Sequence, residues 1–332
     1  MKKYYIIGAV ILLVVIGGSV AFYEYEHNPK IEYQKGLHYY KEKNYQKAFP
    51  LFKESAKQNY APAEAKLGYM YEHGLGASKD DDKAAYWFKK AAHQGDALGE
   101  AALGYMYLDG KGGVSKDYKK ALYWTKKAAK QGYAKAEDFL GAIYIGGSGV
   151  PHDYKKAAYW FKKAAEQGDA LGEYFLGLMY QAGKGVPQDY NKAVYWFKKA
   201  AGQGNVEGEF YLGVMYVEGL GVPQNYSKAV HWFKKAAGQG YAEGEAALGV
   251  MYKAGKGVPQ DYSKAVYWFK KAAKQGYARA EYYLGVMYAE GLGVPQDYNK
   301  AVYWYKKAAE QGNAQARANL EYLELAHLFG GY

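Results

Sequence analysis

"GVPQDYNKAVYWFKKAAGQG", residues Gly185–Gly204, returns almost letter for letter at Gly257–Gly276 and at Gly293–Gly312. A segment that recurs at fixed spacing is the signature of a stacked-repeat architecture, and it decides the fold before any single residue does. The period is 36 residues: Leu-Gly pairs begin at Leu67, Leu103, Leu140, Leu176, Leu212, Leu248 and Leu284, with one step of 37 where the loop "GKGGVSKD" carries an extra residue. All seven Trp residues occupy one column, namely Trp87, Trp124, Trp160, Trp196, Trp232, Trp268 and Trp304.

Each unit reads as two helices. In the quoted stretch Asp189 suits an N-cap, "YNKAVYWFKKAA" runs on as helix, and Gly stops it. Ala193, Trp196, Phe197, Ala200 and Ala201 follow the spacing of a single apolar stripe, which is read as the core. A first helix such as Ala97–Leu108 packs through Gly99, Leu103, Met106 and Tyr107, where a small residue beside large ones allows close approach. "GLGVPQ" and "GKGVPQ" then turn the chain, with Pro barring helix just before the next cap. One hairpin cannot bury both sides of its Trp, but stacked neighbours can, each buried aromatic contributing roughly 1.5–3 kcal/mol. Tyr and Gly (40 and 42 residues) dominate and Thr125 is the single Thr, so no strands are expected. The ends differ as terminal repeats should: Tyr33–Tyr60 has a shortened loop and Pro50 inside its second helix, and after Asn313 a lone first helix carries Glu321 in place of the repeated Gly.

The combination Leu-Gly-x-x-Tyr, Gly-x-Gly-Val, Asp-x-x-Lys-Ala, Trp, Lys-Ala-Ala and Gly resembles the Sel1-like repeat, a relative of the tetratricopeptide repeat, seven times over Ala61–Gly312. The unit at Gly76, "GASKDDDKA", departs from it in lacking Val-Pro. The resemblance implies an all-α fold, an α/α right-handed superhelical solenoid that serves as an adaptor for protein complexes; relatives include bacterial envelope and secreted proteins. The chain is accordingly divided into a hydrophobic segment at 1–23, a linker at 24–32, a tetratricopeptide-like capping repeat at 33–60, seven repeats at 61–312 and a capping helix at 313–332.

"MKKYYIIGAVILLVVIGGSVAFYEYEHNPK" places two Lys before an uncharged stretch, Tyr4–Tyr23, and Glu24 and Glu26 after it, an orientation that exports everything downstream. Its length suits an inner-membrane anchor across residues 4–23, the preferred reading, with the repeats in the periplasm; Ser19-Val20-Ala21 also allows cleavage after Ala21 and release.

The sequence offers little chemistry. There is no Cys, which excludes disulfides, thiolate metal sites and thiol catalysis; the penicillin binding linked to cysteine-rich relatives therefore does not carry over. The seven His fall at unrelated repeat positions with no pair four residues apart, so no metal site is expected. Gly183-Lys184-Gly185 joins two helices and is a turn, not a phosphate loop, and Ser148 in "GGSGV" lacks the context of a nucleophile elbow. The repeated carboxylates Glu64, Glu100, Glu137, Glu173, Glu209, Glu245 and Glu281 are read as structural bonds to the neighbouring repeat, because catalysis needs a second group placed in one repeat only. No enzyme, catalytic residue or cofactor is expected.

The net charge of +11 raises nucleic acid as a partner, but export and the Lys columns from Lys89-Lys90 to Lys306-Lys307 argue against it. Those Lys, with exposed Tyr such as Tyr195, are read as a solvated outer ladder, with a cell-wall polymer, polysaccharide or anionic lipid surface as the alternative ligand. The columns free to vary lie on the first helix: Leu98, Ala101, Tyr105 and Leu108; then Leu171, Tyr174, Leu178 and Gln181; then Glu207, Phe210, Val214 and Val217; then Glu243, Ala246, Val250 and Lys253; and Arg279, Tyr282, Val286 and Ala289. In tetratricopeptide-like superhelices this stripe lines the concave side. Leu98, Tyr105, Leu108, Leu171, Tyr174, Leu178, Phe210, Val214, Val217, Tyr282 and Val286 are thus the expected groove for a segment of a partner protein.

Overall fold

A computed structural model describes residues 28–147 and 149–328. The expected anchor at 1–23, most of the linker and Ser148 lie outside the described residues. Among the described residues there are seventeen helices and no strand. The chain divides at Ala164 into two compact units. In the first, α1 (Pro29–Lys41) pairs with α2 (Tyr45–Lys57), α3 (Ala61–His73) with α4 (Asp81–His93) and α5 (Ala97–Asp109) with α6 (Tyr118–Lys130), followed by α7 (Ala134–Gly146) and α8 (Tyr154–Glu166), inside which the division falls. The second unit pairs α9 (Ala170–Ala182) with α10 (Tyr190–Gly202), α11 (Val206–Glu218) with α12 (Tyr226–Gly238), α13 (Ala242–Ala254) with α14 (Tyr262–Lys274) and α15 (Ala278–Glu290) with α16 (Tyr298–Glu310), and ends in α17 (Ala314–Leu328). Within each unit every second helix also packs on the first helix of the next hairpin, which makes an α/α solenoid.

The quoted stretch shows why these residues form these helices. Asp189 Oδ1 accepts the Lys192 backbone N–H at 3.0 Å, satisfying an orphan donor of α10, and its other oxygen lies 3.2 Å from Lys192 Nζ. Before it, α9 ends at Gly183, whose left-handed backbone (φ 66°) lets its N–H reach the Met179 carbonyl, a conformation that a side chain makes costly.

The core is built from Phe and Ala. Phe197 is fully buried and lies against Gly177, where an added Cβ would come within 2.6 Å of the ring. The same Gly and ring meet in Gly68–Phe88, Gly213–Phe233 and Gly249–Phe269, and Thr125 takes the ring's place against Gly104. The Trp column corrects the sequence reading: Trp196 and its counterparts are only half-buried, whereas Ala193, Val194, Phe197, Ala200 and Ala201 are buried. The wheel explains the shift, since Phe197 points between the arms of its own hairpin while Trp196 lies edge-on to exposed Tyr195, and its counterparts Trp232 and Trp268 pack at the margin of the core.

Candidate binding face on the first helices

The repeated carboxylate belongs to the frame. Glu100 is fully buried on α5; Lys127 Nζ lies 2.8 Å from its Oε1 and Gln131 Nε2 donates to its Oε2 at 2.8 Å. The same Gln bond recurs at Glu64, Glu173, Glu209, Glu245 and Glu281, at 2.7–2.9 Å. This corrects the expectation of a bond to the neighbouring repeat, because the carboxylate, the Lys and the Gln all belong to one hairpin. The link between repeats runs through the Gln instead, since Gln131, Gln203 and Gln239 also donate to the carbonyls of Gly95, Gly168 and Gly204 in the preceding repeat. Burial pushes the Glu173 and Glu281 carboxyls up, with the Gln and Lys partners opposing the shift. The sequence reading had passed over Gln, although "QG" ends every second helix from Gln94 to Gln311. It had also placed both Lys columns in solvent, yet Lys90, Lys127 and Lys271 reach inward to the buried Glu at 2.8–2.9 Å while lying over Trp87, Trp124 and Trp268.

The varied stripe fares differently along the chain. In the first unit Leu98 and Leu108 are half-buried and Tyr105 is 43% exposed, its ring 5.5 Å from Phe139. In the second, Leu171 is 45% exposed, while Tyr174, Leu178, Phe210, Val214 and Val217 are half-buried around one core cluster. Tyr174 lies 5.7 Å from Tyr211, and Phe210 lies 5.7 Å from Phe233 and 5.5 Å from Tyr241. Burial raises the Tyr174 hydroxyl pKa. Tyr282 and Val286 join a different cluster, around Tyr305, and Val286 is 7% exposed, so it packs inside the array instead of offering a surface.

Where α11 and α13 run side by side, Phe210, Val214 and Val217 face Val250 and Met251 across a pocket of about 200 Å³. Phe233 of α12 closes it from below. Tyr277 and Arg279, at the start of α15, line it as well, as do Glu218 and Glu243. The residue before a first helix caps it at four places, where Asp96, Asp169, Asn205 and Asn313 each accept a backbone N–H. Tyr60, Tyr133, Tyr241 and Tyr277 stand at the same position in four other repeats and cap nothing with their side chains. Of these four Tyr, Tyr241 packs on Phe210 and Tyr277 lines the pocket wall. The signal is present in the sequence as a column that holds either Asp or Asn or else Tyr, one residue before the first helix and so outside its varied stripe.

The second helices present the other surface. Tyr86, Tyr123, Tyr159, Tyr195, Tyr267 and Tyr303 are all more than half exposed, each edge-on to the following Trp with ring centroids about 5 Å apart. Among the described residues no group of His, Asp or Glu is arranged to hold a metal ion, and no helix is long and apolar enough to cross a membrane.

These features define a class, helical repeat proteins whose invariant frame carries a variable face. The Sel1 repeat matches the chain eight times, over residues 31–60, 61–96, 97–133, 134–169, 170–205, 206–241, 242–277 and 278–313, so the protein belongs to the Sel1 repeat family. Its structure is similar to that of c5321, a protective antigen of uropathogenic Escherichia coli strains displaying an SLR fold, with 35% identity and a TM-score of 0.73 over 91% of this chain and 66% of that one. It is also similar to a Sel1 repeat protein from Oxalobacter formigenes, at 35% identity and a TM-score of 0.65 over 92% of this chain and 89% of that one. The chain thus spans slightly under two thirds of the antigen and most of the second protein. No curated protein matches it. Sel1 repeat proteins generally act as protein–protein interaction scaffolds.

Proposed function

We propose that this protein is a non-catalytic scaffold of the cell envelope that holds a segment of a partner protein against its first helices. The observation that carries the reading is the pocket between α11 and α13, where Phe210, Val214 and Val217 leave apolar surface open on a helix face that the frame does not use. Leu171, exposed on α9 of the same unit, supplies further apolar surface. Repeats that share one frame and differ along one stripe divide the work, since the frame stabilises and the stripe selects. Export is part of the proposal: it rests on Lys2 and Lys3 before the apolar stretch Tyr4–Tyr23, and the likeness to a protective antigen fits a protein outside the cytoplasm.

The test is crosslinked capture from the protein's own cells with the intact chain and with a Leu171→Lys, Val217→Lys variant whose helix content is checked by circular dichroism. A single protein captured by the intact chain and lost from the folded variant is the expected result. Equal capture by both overturns the reading. Retention of both on purified cell wall would favour the polymer alternative, for which the row of exposed Tyr on the second helices is the supporting observation.

A further inference from the structure

Resting on that reading, we infer that the partner segment is a basic one: an apolar anchor side chain seated in the α11–α13 pocket and flanked by Lys or Arg. Shape gives the anchor. The pocket measures about 200 Å³, and a cavity of roughly 150 Å³ lined by aliphatic and aromatic groups already accepts a benzene ring. Its walls, Phe210, Val214, Val250 and Met251, offer no side-chain hydrogen bond from within, so a polar occupant would be left unpaired there.

Charge gives the flanks. On a chain of net charge +11, two carboxylates, Glu218 of α11 and Glu243 of α13, line this pocket, and Glu207 lies outside the lining one turn before Phe210. Glu243 and Glu207 both act on Tyr241, whose hydroxyl pKa burial and these two charges raise, so the two carboxylates converge on the same ring beside the pocket. One cation, Arg279, lines the opening, and its guanidinium is already placed 5.9 Å from the Tyr283 ring. Two carboxylates against one guanidinium leave the lining acidic, and Lys253, 5.6 Å from the same Tyr283 ring, stands outside it. An acidic peptide would meet like charge beside its anchor, whereas a basic one meets complementary charge that speeds encounter and fixes its register. On the second helices the outer Lys column, with Lys198, Lys234 and Lys270, is exposed, so a basic segment is also repelled from the face it must not occupy.

The probe is a random peptide library displayed on phage and panned on the full chain, in parallel with two variants. One is Glu218→Lys, Glu243→Lys, at exposed or half-exposed rim positions; the other is Val217→Lys in the wall. Both are checked for folding by circular dichroism, and the rim pair stands if the wall variant fails to fold. The expected result is enrichment of sequences with a Leu, Phe or Met between Lys or Arg, bound roughly tenfold more weakly by the rim variant and more weakly as salt rises. Enrichment of apolar anchors with acidic or neutral flanks overturns this inference and leaves the scaffold proposal standing. If no family of sequences is enriched, or the enriched ones bind the folded wall variant equally, the groove reading itself falls with it.

Discussion

The clasp under Glu245 and the pocket beside Val250 sit on the same helix, α13, yet they are built to opposite rules. At the clasp, Glu245 is buried and takes Gln275 at 2.9 Å and Lys271 at 2.9 Å; the Gln bond recurs in five other hairpins, and the close Lys contact at Glu64 and Glu100. At the pocket, Val250 faces Phe210, Val214 and Val217, members of a stripe whose residues change from hairpin to hairpin, and apolar surface is left open. The difference teaches that one turn of helix separates what the array spends on standing up from what it keeps for recognition. A residue's place on the helical wheel, more than its chemical type, decides which of the two it serves.

The sharpest way to break this comparison is to cut the frame where it is most buried. Phe197→Ala removes a ring that lies against Gly177 and is expected to destabilise by about 3–5 kcal/mol. Because repeats interact chiefly with their neighbours, the loss should appear as faster amide exchange in α9–α12 and much less in α15–α17. Val217→Ala, on the pocket wall, should leave exchange nearly unchanged. If both variants behave alike, frame and face are not separable.

Second in size is the clasp. Glu245→Gln keeps the shape but removes the charge that Lys271 approaches, and the expected loss is about 1.5 kcal/mol, at the low end for a hydrogen bond to a charged group because Lys271 keeps part of its side chain in water. Chemical denaturation of the intact chain and variant measures it, and no change would mean that the Gln alone carries the clasp.

The comparison also has a pH signature. Asp261, like Asp80, Asp117, Asp153, Asp189 and Asp297, is held below the usual carboxylate range by the backbone N–H and ammonium of the Lys three residues on. A carboxyl depressed in the folded state contributes stability above its unfolded pKa of about 4, and that contribution is lost as pH falls through the lower folded value. Glu173 and Glu281 run the other way: their folded values are raised by burial, so what they contribute is complete below the unfolded value and is lost as pH rises through the folded one. Acidification below about pH 4 is therefore expected to fray helix starts before it loosens these two clasps. The start of α12 is an internal control, because its cap is Asn225, which does not titrate. Asp261→Asn should make the start of α14 equally insensitive to acid in amide exchange, a small and local effect since these caps are exposed.

How much of this could be read from the letters follows the same division. Period, hairpins, caps and the Gly that receives a ring were legible, because repetition multiplies a local signal at a fixed position. Trp196 misled because a large apolar residue in the stripe was assumed to be innermost, while Phe197 beside it takes that place and leaves Trp196 half-buried. The partner of Glu100 misled because three residues of one hairpin, Glu100, Lys127 and Gln131, converge only after the loop has folded back. The stripe was found as a line of variation, but which members gather depended on packing: Phe210, Val214 and Val217 share a pocket, whereas Val286 is absorbed into the core around Tyr305.

Tyr277 gives the subtlest test, because at one position frame and face compete. The residue before α15 has the place that Asn205 uses to cap α11, where Asn205 Oδ1 accepts the Gly208 N–H at 2.7 Å. Tyr277 makes no such bond and lines the pocket instead. Tyr277→Asn should therefore stabilise the start of α15 by roughly 0.5–1 kcal/mol through the new cap. The same change removes a wall of the pocket and should weaken binding of any pocket-directed peptide by a few-fold. Opposite signs in the two measurements, amide protection at Ala280 and Glu281 rising while peptide affinity falls, are what a ring kept for recognition at the expense of a helix cap requires. Two changes of the same sign would mean that Tyr277 is part of the frame after all, packed there for the stability of α15.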